Sequence, residues 1–170
     1  MELPDLAGFR LWNVELLNWG TFDGSIVSFP IEGQYAFVTG SVGAGKSTVV
    51  DALTTLFVPT SRIVYNKAAG AGKNERRLET YLRGVYSTAA DDTGTRAKPV
   101  ALRDTRHVSA ILAHFRDEQA NADAVFVHVY YFTAAGSIEK IYAVSDAPIT
   151  LEALLTGANS DPRTLQRLIR

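Results

Sequence analysis

The chain has 170 residues, of which 46% are apolar, enough for one well-buried globular domain. Its formal net charge of −1 excludes a wholly basic nucleic-acid binder, so any contact with nucleic acid must come from a local patch. Cysteine is absent, which excludes disulfides and thiolate metal sites and agrees with a cytosolic setting.

Met1 to Asp5 lack the basic start and apolar core of a signal peptide, and about eighteen apolar residues never run together. The expectation is a soluble cytoplasmic protein without a membrane partner. Phe9 to Leu17 alternates loosely and suits a strand. Asn18-Trp19-Gly20-Thr21-Phe22-Asp23-Gly24 reads as a turn, because glycine and Asx residues close together favour hairpin geometry. A second strand is expected over Gly24 to Phe29. A third, Ile31 to Thr39, ends in the apolar run Tyr35-Ala36-Phe37-Val38 and suits a buried strand.

Gly40-Ser41-Val42-Gly43-Ala44-Gly45-Lys46-Ser47-Thr48 follows and satisfies G-x-x-x-x-G-K-[ST]. After it, Val49, Val50, Leu53, Leu56 and Phe57 recur at helical spacing until Pro59 stops them. A glycine-rich turn ahead of a helix is sometimes only a connection. Here strand, loop and helix stand in the order a phosphate cradle requires. Glycines let backbone N–H groups point at a polyphosphate without a Cβ in the way, and the helix adds the positive end of its dipole. Lys46 would reach the β- and γ-phosphates of ATP, and Ser47 would place its hydroxyl on Mg²⁺. Two antiparallel strands ahead of the loop differ from a small GTPase or nucleotide kinase, where the loop follows the first strand. The order is that of an ATP-binding-cassette type head: an α/β P-loop NTPase lobe with mixed and antiparallel strands.

Between Pro59 and Gly84 lies the most basic segment, with Arg62, Lys67, Lys73, Arg76, Arg77 and Arg83 opposed mainly by Glu75 and Glu79. A helix is expected here, capped by Asn74, turning Leu78, Tyr81 and Leu82 inward and ending at Gly84. Its charge either solubilises the segment or meets a phosphate backbone. Ser87 to Pro99 is small, polar and charged, and reads as a surface loop in which Asp91-Asp92 is solvated turn charge rather than a metal site. His107 to Phe115, Ala124 to Thr133 and Ser137 to Val144 are strand-like and suggest an antiparallel meander beside the nucleotide-binding sheet. His107, His114 and His128 fall in these runs without a short-loop or helical ligand pair, so they are taken as packed or hydrogen-bonded at strand faces rather than as a zinc site. Thr150 opens a short helix ended by Gly157, and Asp161-Pro162 is an N-cap with proline at the first position of another.

The series Phe9-Arg10-Leu11, Asn18 to Gly24, Gly40 to Thr48, Asp51 to Leu56 and Val58-Pro59 resembles the N-terminal head half of SMC-like ATPases of the MukB/MksB group. Tyr65 to Gly70, Glu75-Arg76-Arg77 and Tyr81 to Tyr86 resemble more narrowly the SMC subunit of Wadjet plasmid-defence systems. The family often carries asparagine where this chain has Val42, which keeps the consensus positions but removes a polar contact near the γ-phosphate. The resemblance implies that residues 1–161 form half of a head and that 162–170 begin a helix leading to a coiled coil. It also implies DNA across engaged heads, with Lys67, Lys73, Arg76, Arg77 and Arg83 as candidate contacts. Further implied partners are a C-terminal head half of the same protein, a second head in a homodimer and a kleisin-type subunit, at a nucleoid-associated location.

Hydrolysis in such a head needs an apolar strand ending in Asp, a following Glu to position water, and a signature motif from a facing head. Ala124 to Phe132 is followed by Thr133-Ala134-Ala135, Ile141 to Val144 leads to Ser145-Asp146-Ala147 with no adjacent glutamate, and no Ser-Gly-Gly-type signature is present, so no catalytic residue is expected within this chain. Gln119 and Gln166 are candidates for the glutamine that helps hold Mg²⁺. The leading expectation is an ATP-binding lobe of a DNA-translocating or DNA-clamping ATPase, acting in chromosome organisation or in defence against plasmid DNA. A self-contained P-loop phosphotransferase acting on a small molecule, and a nucleotide-gated module that holds DNA or partners, are the alternatives.

Overall fold

A computed structural model describes residues 7–59, 62–63, 78–90, 97–158 and 164. The elements are β1 (Arg10–Leu17), β2 (Ile26–Pro30), α1 (Lys46–Phe57), α2 (Leu78–Arg83), β3 (Val85–Ala90), β4 (Ala97–Ala101), β5 (Ser109–Asp117), β6 (Ala122–Phe132), β7 (Ile138–Ser145) and α3 (Leu151–Gly157). One antiparallel sheet runs β2-β1-β5-β6-β7, and β3-β4 form a separate two-stranded ribbon.

The turn expected at Asn18 to Gly24 joins β1 to β2. Asn18 sits at φ 50, a conformation Asx residues tolerate, and its Oδ1 accepts a bond from the Gly24 N–H at 2.9 Å. Strand alternation then sorts the core into two layers. Val14, Leu16, Ile111, Ala113 and Tyr130 pack with Val49, Ala52 and Leu56 of α1 and Leu78, Tyr81 and Leu82 of α2. The opposite face presents Ala110, Leu112, Val125, Val127, Val129 and Ile141 to Leu151 of α3. Glu15 fastens that second layer, its buried Oε2 accepting a bond from the Leu151 N–H at 2.7 Å. Thr150 caps α3 as its sequence indicates, accepting from the Ala153 N–H at 3.2 Å.

Four expectations are corrected. Tyr35 to Val38 form no strand: Tyr35 is 86% and Phe37 92% exposed, and among the described residues no strand pairs with them. An apolar run becomes a strand only where a neighbour takes its backbone bonds. Here the chain leaves β2 by turning around Trp12, whose carbonyl accepts from the Ile31 and Glu32 N–H groups, each at 2.9 Å. Secondly, Ser87 to Ala90 and Ala97 to Pro99 belong to the β3-β4 ribbon rather than to a loop, with Ser87 opposite Val100, while residues 91–96 lie outside the described ones; Pro99 is tolerated because a two-stranded ribbon has only edge strands. Thirdly, the meander does not lie beside the sheet that bears β1 and β2 but continues it, β5 pairing with β1 from Leu17↔Ala110 to Arg10↔Arg116. His107, fourthly, precedes β5 and bonds the Asp104 carboxylate at 3.0 Å. Asn74, Asp91-Asp92 and Asp161-Pro162 lie outside the described residues.

His128 lies on β6 with its ring 4.3 Å from that of Tyr142 and its Nδ1 3.0 Å from the Tyr130 hydroxyl. Burial, and secondarily the Lys140 charge, push its pKa down to about 4. The folded chain therefore keeps His128 neutral where the unfolded chain protonates it, below about 6.5. Between about 6.5 and about 4 the unfolded state binds the extra proton, so stability falls as pH falls. Urea unfolding at pH about 7 and about 5 should show a smaller loss in His128→Gln than in the parent chain. An equal loss in both would mean that other groups carry the pH dependence.

Candidate nucleotide-binding site

Residues Gly40 to Gly45 form the bend that delivers the chain into α1. Gly45 is the N-cap at φ 88, and no side chain caps the helix, so the first-turn N–H groups of Lys46, Ser47 and Thr48 precede the first intrahelical bond, Val49 N–H to Gly45 O at 3.2 Å. A Cβ at Gly45 would stand 3.0 Å from Cζ of Phe22 as well as straining the backbone, which explains glycine there. The Lys46 ammonium closes the bend on itself, donating to the Gly40 carbonyl at 2.7 Å and the Ser41 carbonyl at 2.8 Å. Ser47 is exposed beside it. Uncapped N–H groups, an ammonium held within the loop and a free hydroxyl make a donor set suited to a triphosphate with its magnesium. Lys46 and the N–H groups would hold phosphate oxygens, and Ser47 is the residue placed to ligate the metal.

The loop rests on the turn between β1 and β2. Trp19, fully buried, donates its indole N–H to the Thr48 carbonyl at 3.1 Å and stacks on Tyr81 with ring centroids 5.0 Å apart. Asp51, buried on α1, accepts a bond from the Tyr81 hydroxyl. The phosphate loop is thus braced by α2 through Trp19 and Tyr81.

Comparison with known proteins agrees with this geometry. Residues 11–72 match the family described as the P-loop containing region of AAA domain. A solved structure from work on ATP-driven dimerisation and DNA-stimulated activation of SMC ATPases aligns with 91% of this chain and 82% of its own, at 16% identity and a TM-score of 0.50. The crystal structure of an SMC head bound to the C-winged helix domain of ScpA aligns with 85% of this chain and 39% of its own, at 16% identity and a TM-score of 0.51. The fold is that of an SMC ATPase head. No curated protein sequence matches the chain.

Within this SMC-head fold the other predicted residues fall at different places. Arg83 ends α2, partly exposed, with its guanidinium 3.6 Å from Glu79 one turn earlier. Lys67, Lys73, Arg76 and Arg77 lie outside the described residues, as does Gln166. Gln119 is an exposed residue of the β5-β6 turn, at the end of the sheet where Phe57, the last residue of α1, packs on Phe115 and Phe126. The length of α1, roughly 18 Å for 12 residues, separates it from Ser47, so it is no magnesium ligand in this arrangement. The histidines are held apart: His107 precedes β5, His114 bonds Asp123 at 2.7 Å on the face of the sheet that bears α3, and His128 lies on the other face. That bond from His114 is the main reason the Asp123 carboxyl lies below the usual range.

Sequence reasoning passed over Arg103. Its side chain is 1% exposed and its guanidinium donates to the Gly20, Phe22, Tyr81 and Leu82 carbonyls and to Asp23 Oδ1. An arginine in Ala101-Leu102-Arg103-Asp104 carries no local signal, because its partners are about 20 and 80 positions away.

Proposed function

We propose that the chain is the nucleotide-binding lobe of an SMC-like ATPase head of the MukB/MksB group, most like the SMC subunit of Wadjet plasmid-defence systems. In this role Gly40 to Thr48 hold ATP and Mg²⁺, and a C-terminal head half supplies the residues that act on water. The observation that carries the proposal is the apolar surface flanking the phosphate loop. Tyr35, Phe37, Val38 and Val42 before the helix, and Val50 (58% exposed) in its first turns, are open to solvent. Several large apolar side chains left exposed on the segments that flank a ligand loop suit a surface built to be covered, and a second lobe carrying a pairing strand would cover them. Bound magnesium would neutralise phosphate charge, while Lys46 and the loop N–H groups orient the phosphates.

DNA is proposed to lie across the paired heads, met by Lys67, Lys73, Arg76, Arg77 and Arg83 through phosphate contacts that need charge rather than base-reading geometry. Head pairing in a homodimer and a kleisin-type subunit complete the assembly, as in the SMC proteins whose fold it shares. A small-molecule phosphotransferase is disfavoured because residues after Val100 build β5, β6 and β7 rather than an acceptor site with a lid.

The test is turnover. The chain alone should bind ATP with magnesium yet release phosphate no faster than its Lys46→Ala variant, and mixing with a complementary C-terminal lobe should start Lys46-dependent, DNA-stimulated hydrolysis. Sustained Lys46-dependent turnover by the chain alone would sink the half-site proposal.

A further inference from the structure

The geometry points to Arg103 as a positioning residue that couples the phosphate loop to the β3-β4 ribbon, so that nucleotide held at the loop steadies the ribbon and the ribbon's arrangement sets the affinity for nucleotide. The inference rests on the nucleotide-binding role proposed for Gly40 to Thr48 and adds to it a route of regulation.

Guanidinium carries five N–H donors, and here each has an acceptor. Nε donates to the Leu82 carbonyl at 3.0 Å, one terminal nitrogen to Phe22 O at 3.1 Å and Asp23 Oδ1 at 2.8 Å, and the other to Gly20 O at 2.8 Å and Tyr81 O at 2.9 Å. Three of these acceptors belong to the turn that carries the phosphate loop and two to the end of α2. The backbone of the same residue sits at the root of the ribbon, where the Arg103 N–H donates to Arg83 O at 3.1 Å and the Leu102 N–H to Gly84 O at 3.2 Å. One residue therefore belongs to both structures.

The junction has no slack. A Cβ at Gly84 would lie 2.6 Å from the Gly20 carbonyl and 2.8 Å from the Arg103 guanidinium, so ribbon root, guanidinium and turn are in direct contact. On the far side the turn bears on the loop itself through Phe22 against Gly45 and through Trp19, whose N–H bonds Thr48 O. A planar fork with saturated donors transmits displacement because moving any acceptor breaks a charge-assisted bond in a dry setting. Among the described residues Asp23 is the one carboxylate it meets, and it is partly exposed at the rim of the turn.

Coupling is reciprocal, and coupling factors between two sites span about 5-fold to 150-fold. The experiment compares the parent chain with Arg103→Lys, which keeps the charge and loses the fork, and with Phe22→Ala, which breaks the same route without leaving a buried arginine unpaired. Affinity for a fluorescent ATP analogue with magnesium is titrated at a temperature where far-ultraviolet circular dichroism shows each variant folded. Hydrogen exchange is followed at the amides of β3 and β4 with and without ATP. The expected result is a Kd raised roughly tenfold in both variants, together with loss of the ATP-induced slowing of exchange in the ribbon seen in the parent. A residue that only stabilises the fold would lower the melting temperature and leave the Kd of the folded molecules unchanged. Kd values within about twofold of the parent, or ribbon exchange indifferent to ATP in the parent, would overturn the assignment. If Arg103→Lys does not fold, Phe22→Ala alone decides by the same two readouts. Absence of Lys46-dependent ATP binding in the parent chain would instead remove the nucleotide-binding role, and this coupling with it.

Discussion

Lys46→Ala is expected to raise the Kd for ATP by a factor on the order of 10² to 10³ with little change in stability. Its ammonium now spends two hydrogen bonds on the Gly40 and Ser41 carbonyls, so it already lies inside the bend where a phosphate would sit. A phosphate would be shared between that ammonium and the uncapped N–H groups of the first turn of α1. Hydrogen bonds to charged groups are worth about 1.5–3 kcal/mol each, and losing two from the lower part of that range, as suits an exposed loop, gives about 3–4 kcal/mol, or two to three decades in affinity. The buried face of α1 is Val49, Asp51, Ala52, Thr55 and Leu56, none of which the substitution touches, so the melting temperature should move by no more than about 3 °C. Isothermal titration with ATP and magnesium checks the affinity. Binding within about threefold of the parent would mean that this loop does not hold the phosphates.

The largest loss of stability is expected from Trp19→Ala. Trp19 is fully buried, stacks on Tyr81, lies 6.1 Å from the Tyr130 ring and donates to Thr48 O, so it joins α1, α2 and the sheet at one point. Emptying such a site costs about 3–5 kcal/mol, a large share of the roughly 5–15 kcal/mol that holds a domain of this size together. Trp19→Phe keeps an aromatic ring against Tyr81 but forfeits the indole N–H, and should cost about 1–2 kcal/mol. Urea unfolding followed by circular dichroism measures both. A loss below about 1 kcal/mol in Trp19→Ala would show that α1 and α2 are held mainly by other contacts.

Much of this architecture is legible along the chain because it is local. The Asx and glycine residues from Asn18 to Gly24 make the first hairpin, the glycines and Lys46 make the loop, and alternation makes β5, β6 and β7. Inward Leu78, Tyr81 and Leu82, with Gly84 ending the helix, also follow from spacing. Properties that depend on neighbours are less legible. Tyr35 to Val38 carry strand composition and no strand, since pairing belongs to two segments and composition to one. Ser87 to Ala90 and Ala97 to Pro99 show the reverse, mostly small residues drawn into a ribbon by each other. Val50 and Phe57 fit the helical period yet stay half-exposed, while Asp51 and Thr55 are buried instead, because Tyr81 gives Asp51 a hydroxyl to bond and Thr55 bonds the carbonyl one turn back. Arg103 is the extreme case: a charge that reads as surface residue in sequence is interior in the fold, because five acceptors from two distant segments converge on it.

The open stretch from Tyr35 to Val38 has a practical consequence for the chain during synthesis and purification. Aromatic and β-branched residues on a backbone that no strand among the described residues pairs with are a template for cross-strand association between copies. Until covered, that stretch favours precipitation and chaperone capture, at a rate that rises with concentration. Yield should therefore depend on what is expressed alongside the chain, and a charged substitution at Phe37 should keep it dispersed at the expense of whatever normally seats there.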